Sequence, residues 1–382
     1  MNLISNCSGC QSGSSISSGS FSTSPLTTFG SGRSIQRIIA GSGNYLYGSL
    51  GSLAGMPGRC GLFQLDTSGP TTKILLDNGG ECGFPALIKY STEIFGISSP
   101  RGLALIYDTS GDLIKSMGKI SNWLGGATDA LVHNGIAYIL RFVTSSTPPV
   151  PYITSIALST YQMIQYEFPE DITDLTSSVI PLTMAIYSDT IFIGTSVNPM
   201  LFSFDTTTGK FTLLDRLDFY DSTSSLTTAT GDIRCLAANS SNGDIWGVVS
   251  GDPTKPPYIF KYTSAGVLSK EAIFDDEYIG SDVYSMTLSY ANPTTTLYMG
   301  IRKASDTFCG AEIVKWDSSG GGTFGYNWAS TRNIYGERAI TALYEDATYI
   351  YAGTAPNAIL FKVQISNSTK TKLYTFGTGG SI

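Results

Sequence analysis

The chain has 382 residues, a formal net charge of −7, 14% charged side chains, six cysteines and one histidine. That acidic balance excludes an extended phosphate-binding face, which needs clustered Lys and Arg, and one histidine excludes a multi-histidine metal centre. No apolar run reaches the ~18 residues of a membrane-spanning helix, so neither nucleic acid nor membrane insertion is expected.

Residues 1–34 stand apart as a Ser/Thr/Gly-rich arm, low in charge. They lack a charged segment followed by an apolar one, so a secretory signal is either absent or already removed. One reading is a flexible leader. The other is a strand-capable assembly arm, because SPLTTF (24–29) resembles KLYTF (372–376). Ile16 and Phe21 sit in this polar run and would gain about 1.5–3 kcal/mol each on being covered by a partner. Cys7 and Cys10 form a Cys-x-x-Cys pair without the βαβ setting of a redox site or the further ligands of a zinc site. A disulfide, local or between chains, or free thiols are the expectation.

From residue 35 onward, short β-branched and aromatic runs alternate with Gly, Pro, Asn, Asp and Ser clusters, the pattern of strands and hairpin turns. Seven units follow one another, each ending in a strand, a turn and a strand: 62–76, 104–117, 153–168, 201–214, 259–274, 313–328 and 360–376. Each is preceded by a strand pair whose second member reads, in order, YLYGSL, EIFGIS, IAYILRF, IFIGTS, DIWGVVS, LYMGIR and YIYAGT. The spacing is about 40–55 residues with four strands per unit, the period of a β-propeller. The expected architecture is all-β: a seven-bladed propeller of four-stranded antiparallel blades over 35–382, preceded by the arm. Every unit holds its own fourth strand, so SPLTTF is surplus to the ring.

The turns LDTSGPTTKILL, YDTSGDLIKSM and FDTTTGKFTLL resemble the repeats of quinoprotein-like and YVTN-type seven-bladed propellers, over residues of about 35–377. The resemblance implies the fold and carries no catalytic residue, because fold does not fix function. The quinone-docking tryptophans, the Tyr-Val-Thr-Asn tetrad and the Trp-Asp repeat signature are missing.

Candidate chemistry is sparse. His133, in an inner strand, reads as a hydrogen-bonded structural residue, with no nucleophile elbow to make a triad of it. Aligned starts of the inner strands should face the central channel and offer Arg37, Pro85, Asp129, Leu182, Arg234, Tyr284 and Thr341, with Arg338 alongside. Arg37, Asp129, Arg234, Tyr284 and Arg338 could hold an anionic or sugar ligand, or close a structural ion pair across the channel. Between units, Glu170, Asp171 and Asp174, then Asp215, Asp218 and Asp221, then Asp275, Asp276, Glu277 and Asp282 make an acidic sector. It reads as a solvated rim, or else as a Ca²⁺ site or a docking patch for a basic partner; no other cofactor is expected. Cys60 and Cys82 fall near one another on the first unit and could be bridged, Cys309 precedes a third strand, and Cys235 reads as a buried thiol.

Two classes of function fit. The first is a non-enzymatic building block or binding module of a virus particle or extracellular assembly, such as a tail, fibre or capsid-associated component. Its arm would join copies of the chain or other proteins, and its surface could meet glycans. The second is an extracytoplasmic propeller enzyme of lactonase, lyase or quinoprotein type acting at the channel.

Overall fold

A computed structural model describes residues 33–52, 60–69, 71–78, 83–99, 102–108, 113–119, 126–143, 150–169, 179–196, 199–217, 231–289, 294–304, 311–319, 322–330 and 337–376. These form seven four-stranded antiparallel sheets, each with its strands in chain order from the centre outward. Blade 1 holds β1 (Arg33–Ala40), β2 (Tyr45–Ser52), β3 (Cys60–Asp66) and β4 (Thr71–Asn78). Blade 2 holds β5 (Gly83–Tyr90), β6 (Glu93–Ser99), β7 (Leu103–Asp108) and β8 (Leu113–Lys119). Blade 3 holds β9 (Ala127–His133), β10 (Ile136–Val143), β11 (Val150–Ala157) and β12 (Met163–Glu167). Blade 4 holds β13 (Ile180–Tyr187), β14 (Thr190–Ser196), β15 (Met200–Asp205) and β16 (Lys210–Arg216). Blade 5 holds β17 (Asp232–Ala238), β18 (Ile245–Ser250), β19 (Tyr258–Tyr262) and β20 (Leu268–Ile273). Blade 6 holds β21 (Asp282–Ser289), β22 (Thr296–Arg302), β23 (Ala311–Asp317) and β24 (Thr323–Ser330). Blade 7 holds β25 (Ala339–Glu345), β26 (Tyr349–Ala355), β27 (Ile359–Gln364) and β28 (Lys370–Thr375). The predicted seven-bladed, all-β architecture is the one observed, and the described helix is a single 3-10 turn at Asp276–Tyr278.

The second strand of each blade lies between neighbouring blades on both faces, so it reads as a continuous apolar run rather than an alternating one. All six residues of β18 are buried, whereas the outer strand β16 has none buried and mixes exposed with half-buried residues. Each second strand carries one buried aromatic at the same place: Tyr47, Phe95, Tyr138, Phe192, Trp246, Tyr298 and Tyr351. Three of them meet an aromatic of the following blade, Tyr138 on Phe204 at 6.2 Å, Phe192 on Tyr262 at 6.0 Å and Trp246 on Trp316 at 5.3 Å between ring centroids. Such pairs contribute about 0.5–1.5 kcal/mol each beyond the area they bury, and they set the spacing of the blades.

The Asp-Thr/Ser turn that marks the repeats has a physical basis. Asp205 Oδ1 accepts the backbone N–H groups of Thr207 and Thr208 at 2.8 and 2.9 Å, and Asp66 Oδ1 accepts that of Ser68 at 2.9 Å. Thr206 then donates both its N–H and its hydroxyl to Asp189 O, each at 2.9 Å, tying the outer turn to the inner one. Thr67 does the same to Asn44 O at 2.8 Å. The Ser68 hydroxyl, which donates to Asp66 Oδ1 at 2.6 Å, and then the Ser68 N–H hold the Asp66 carboxyl below the usual carboxylate range, and the Thr208 and Thr207 N–H groups do the same for Asp205.

The ring closes where blade 7 meets blade 1. Ile35, Leu50 and Phe63 share a core with Ala342, Leu360 and Phe376, and Thr341 Oγ1 donates to Ile35 O at 2.6 Å. The approach is close enough that a Cβ on Gly353 would lie 2.5 Å from Ile35 Cβ. The seam is therefore side-chain packing between two complete sheets. The residues singled out in the arm, Cys7, Cys10, Ile16 and Phe21, lie outside the described residues.

Candidate functional site

Each of the seven inner strands breaks register with its neighbour near its start, and the residues passed over are Gln36, Phe84 with Pro85, Thr128, Leu182, Arg234, Tyr284 and Thr341. A bulge leaves one residue unpaired and re-aims its side chain. The aligned set from the sequence coincides with these positions in five blades. In blades 1 and 3 the unpaired residues are Gln36 and Thr128, and Arg37 and Asp129 each stand one residue further on.

Arg37 and Asp129 nevertheless meet at 2.6 Å. Blades 1 and 3 are not ring neighbours, so this contact is possible only where the inner strands converge. Arg37 Nε also donates to Pro85 O of blade 2 at 2.7 Å, and Asp129 Oδ2 accepts the Met184 N–H of blade 4 at 2.8 Å. One guanidinium and one carboxylate thus link four consecutive blades. At this pair the channel charges engage each other.

A second network lies opposite, in blades 5 and 6. Arg234 Nε donates to Asp232 Oδ2 at 2.9 Å, and its Nη2 is 3.8 Å from Asp282 Oδ1. The guanidinium lies 5.1 Å from the centre of the Tyr284 ring, within cation–π range. Arg302 pairs with Asp282 Oδ2 at 2.5 Å. Burial alone would lower the pKa of Arg234, but Asp232 and Asp282 outweigh it and hold it above the ordinary arginine range. Burial, then the Asp282 charge, pushes the Tyr284 phenol up to about 12. Gly251, with φ +88°, passes so close that a Cβ there would be 3.1 Å from Asp282 Oδ1.

Asp282 therefore belongs to the channel, not to the acidic rim with which its position in sequence groups it. Asp232 and Arg302 are members that sequence reasoning missed. Asp232 lies two residues from Arg234, but the bulge at Arg234 breaks the alternation by which that spacing could be read, and Arg302 ends a second strand, so neither left a signal. Arg338 is exposed, and its neighbour Glu337 is fully buried. Glu337 accepts Asn357 Nδ2 at 2.6 Å and the Asn357 N–H at 3.3 Å. Burial raises its pKa despite those bonds.

Of the rim residues, Glu170, Asp171, Asp174, Asp218 and Asp221 lie outside the described residues. Asp275, just before the 3-10 turn, and Asp276 and Glu277 on it are exposed, and Glu277 pairs with Lys303 at 3.0 Å. Among the described residues, no group of three or more acidic, cysteine or histidine side chains is gathered as a metal site would require. His133 Nε2 bonds Asp189 Oδ1 at 2.8 Å, joining the inner turns of blades 3 and 4 at the opposite end of the strands from the channel networks. Cys60 and Cys235 are buried, Cys235 as a free thiol pushed up to about 12 by burial. Cys82 and Cys309, and with Cys82 the proposed bridge, lie outside the described residues.

No family model and no curated protein matches the sequence. Solved structures share the fold. The extracellular domain of a hybrid two-component system from B. thetaiotaomicron superposes with a TM-score of 0.59 at 14% identity, over 88% of this chain. The chain spans 40% of the length of that protein. YCF48 bound to D1 peptide gives 0.57 at 10% identity, over 87% of this chain and 93% of the other. The Cps50 (Swd1) β-propeller domain of Myceliophteria thermophila gives 0.53 at 12% identity, over 91% and 97%. At such identities the likeness is one of fold.

Proposed function

We propose that this chain is a non-enzymatic structural and binding propeller of a virus particle or extracellular assembly, with the arm of residues 1–34 joining it to copies of itself or to protein partners. The observation that carries this reading is the use made of the channel charges. Arg37 and Asp129 are engaged with each other and with backbone groups of blades 2 and 4, and Arg234 is held between Asp232 and Asp282. Side chains arranged in this way stiffen a ring; a catalytic group has instead to meet a substrate. The uncrowded charge and the Ser/Thr/Gly/Tyr-rich composition suit a surface that works outside a cell and meets proteins or glycans. A bound peptide on YCF48, a propeller of similar shape, accords with a protein-binding role.

The test compares the assembly state of the full chain with that of a chain lacking residues 1–30, by sedimentation, alongside the melting temperature of each. The expected result is assembly with the arm, loss of assembly without it, and similar melting of the ring. A truncated chain that assembles normally would remove the arm from the proposal. Turnover of a sugar lactone or uronate polymer that is abolished by Asp129→Asn in a folded protein would replace the whole reading with the enzymatic one.

A further inference from the structure

Outer strands of propeller blades are sheet edges with unpaired backbone groups, and proteins protect such edges with bulges and with Lys or Arg. Six of the seven outer strands here are bulged or irregular against their neighbours: β4, β8, β16, β20, β24 and β28. Five of those six also carry lysine, and β24, which does not, is interrupted opposite Val314. β12 has neither protection. It pairs with β11 in unbroken register from Ile156↔Met163 to Tyr152↔Glu167, and its sequence, MIQYE, holds no Lys or Arg.

Its side chains point the same way. Met163 is 45% exposed and Ile164 is 56% exposed, an adjacent apolar pair on opposite faces of one edge strand. Ala157 N donates to Gln162 O at 2.9 Å and Phe168 N to Pro151 O at 3.3 Å. Hydrogen-bonding alternates along an antiparallel strand, so Ile164 and Tyr166 also bond inward to β11. Met163, Gln165 and Glu167 then turn their N–H and C=O groups outward. A flat, unguarded edge with outward donors and acceptors is the surface that strand addition uses.

We infer that β12 accepts the segment SPLTTF, residues 24–29, from a second copy of this chain as a fifth strand of blade 3. This rests on the proposed role of the arm in assembly, and it names the surface that receives it. Residues 1–32 contain no charged side chain, so nothing in the segment opposes a place beside Met163 and Ile164. Leu26 and Phe29 fall on opposite faces of such a strand and would cover one each. Pro25, at its start, is tolerated there.

Chain reach sets the donor as another copy. Arg33 is four positions on from Phe29, a span of at most about 14 Å. Arg33 begins the innermost strand of blade 1. Crossing from an innermost to an outermost strand already takes three strand spacings, about 14 Å, before passing two blades round the ring. Symmetric pairing of β12 with β12 of another copy is disfavoured, because centring it on Gln165 sets Met163 opposite Glu167. A donor site near blade 1 and an acceptor site on blade 3 are different patches, so the contact is head-to-tail and propagates into a closed ring or a filament.

The test uses full chains carrying Gln165→Pro, Ile164→Lys or Leu26→Lys, read by sedimentation velocity across concentration, with melting temperature as the folding control. Gln165→Pro removes an outward N–H and no bond to β11, and Ile164→Lys guards the edge should the proline variant fail to fold. The expected result is association of the unmodified chain, a rise of about tenfold or more in the half-association concentration for all three variants, and unchanged melting. Edge variants that associate as well as the unmodified chain would overturn the β12 site while leaving arm-driven assembly standing. Edge variants that fail while Leu26→Lys still associates would overturn the arm as the occupant. An unmodified chain that never associates would overturn this inference, and would leave the proposed function only its other branch, in which the arm joins different proteins.

Discussion

Replacing Asp129 with alanine should cost more stability than replacing Arg37 with methionine, although the two form one ion pair. Asp129 is 7% exposed and serves three donors: Arg37 Nη2, the Ala130 N–H and the buried Met184 N–H. Without it, the Met184 N–H is left unsatisfied, which costs about 1–3 kcal/mol. The lost ion pair adds about 1 kcal/mol, the upper end for a pair whose Arg37 side chain is 36% exposed and screened by solvent. The sum is about 2–4 kcal/mol. Arg37→Met loses the same pair and the bond to Pro85 O, about 1–2 kcal/mol. Unfolding entropy of about 2.1 cal/mol/K per residue gives about 0.7 kcal/mol/K for a ring of this length, so Asp129→Ala should lower the melting temperature by about 3–6 °C and Arg37→Met by about 1–3 °C. Scanning calorimetry on both variants and the double variant measures this. The double variant should fall short of the sum by about 1 kcal/mol, the energy of the pair. An Arg37→Met effect larger than that of Asp129→Ala, or strict additivity, would refute the view that this carboxylate holds four blades together.

Glu337 has a raised folded pKa, so the folded state binds more protons than the unfolded one between the ordinary glutamate value and the folded value. Stability should fall as pH rises through that window, and Glu337→Gln should flatten this part of a denaturation-versus-pH curve; an unchanged slope would contradict it. Gly353→Val places branched carbon against Ile35 at the seam, with even its Cβ 2.5 Å from Ile35 Cβ, and should destabilise by at least about 1–3 kcal/mol; a neutral result in chemical denaturation would mean the seam is looser than its packing indicates. His133→Gln should leave biological activity intact and cost about 1 kcal/mol or less, because its partner Asp189 is exposed and the hydrogen bond is replaceable; loss of activity in a folded variant would point to chemistry at this turn.

The blades were legible in the sequence because two local devices recur: the aspartate-capped turn at Asp66 and Asp205, and an aromatic at one equivalent position of each second strand, from Tyr47 to Tyr351. Both act within one hairpin or between ring neighbours, so they leave a period in the sequence. The channel was half legible. Strand alternation places side chains correctly only while the register holds, and a bulge shifts it by one residue without marking the sequence. That is why Gln36 and Thr128 were passed over for Arg37 and Asp129. The meeting of those two is a property of closure across 92 positions of chain, and no local pattern encodes it. Asp282 was grouped by chain position with rim carboxylates from which a single turn separates it. The exposed flatness of β12 is likewise a backbone fact, visible only beside the irregular edges of the other six blades.

The seam between blades 7 and 1 has a mechanical consequence. At the other six joints, a covalent connection and a packed interface act together, so one can fail while the other holds. At the seam, described as two complete sheets meeting through Ile35, Phe63, Leu360 and Phe376, packing and the Thr341 hydrogen bond to Ile35 O act without a covalent connection. The molecule is a hoop with one clasp. Partial opening under heat or load should begin there, as a hinged gap rather than a general loosening, and amides of β1 and β25 should exchange ahead of those in β13 and β17. A partner that grips blades 1 and 7 together would fasten the clasp and stiffen the whole hoop, whereas one bound to blade 4 would leave its opening unchanged.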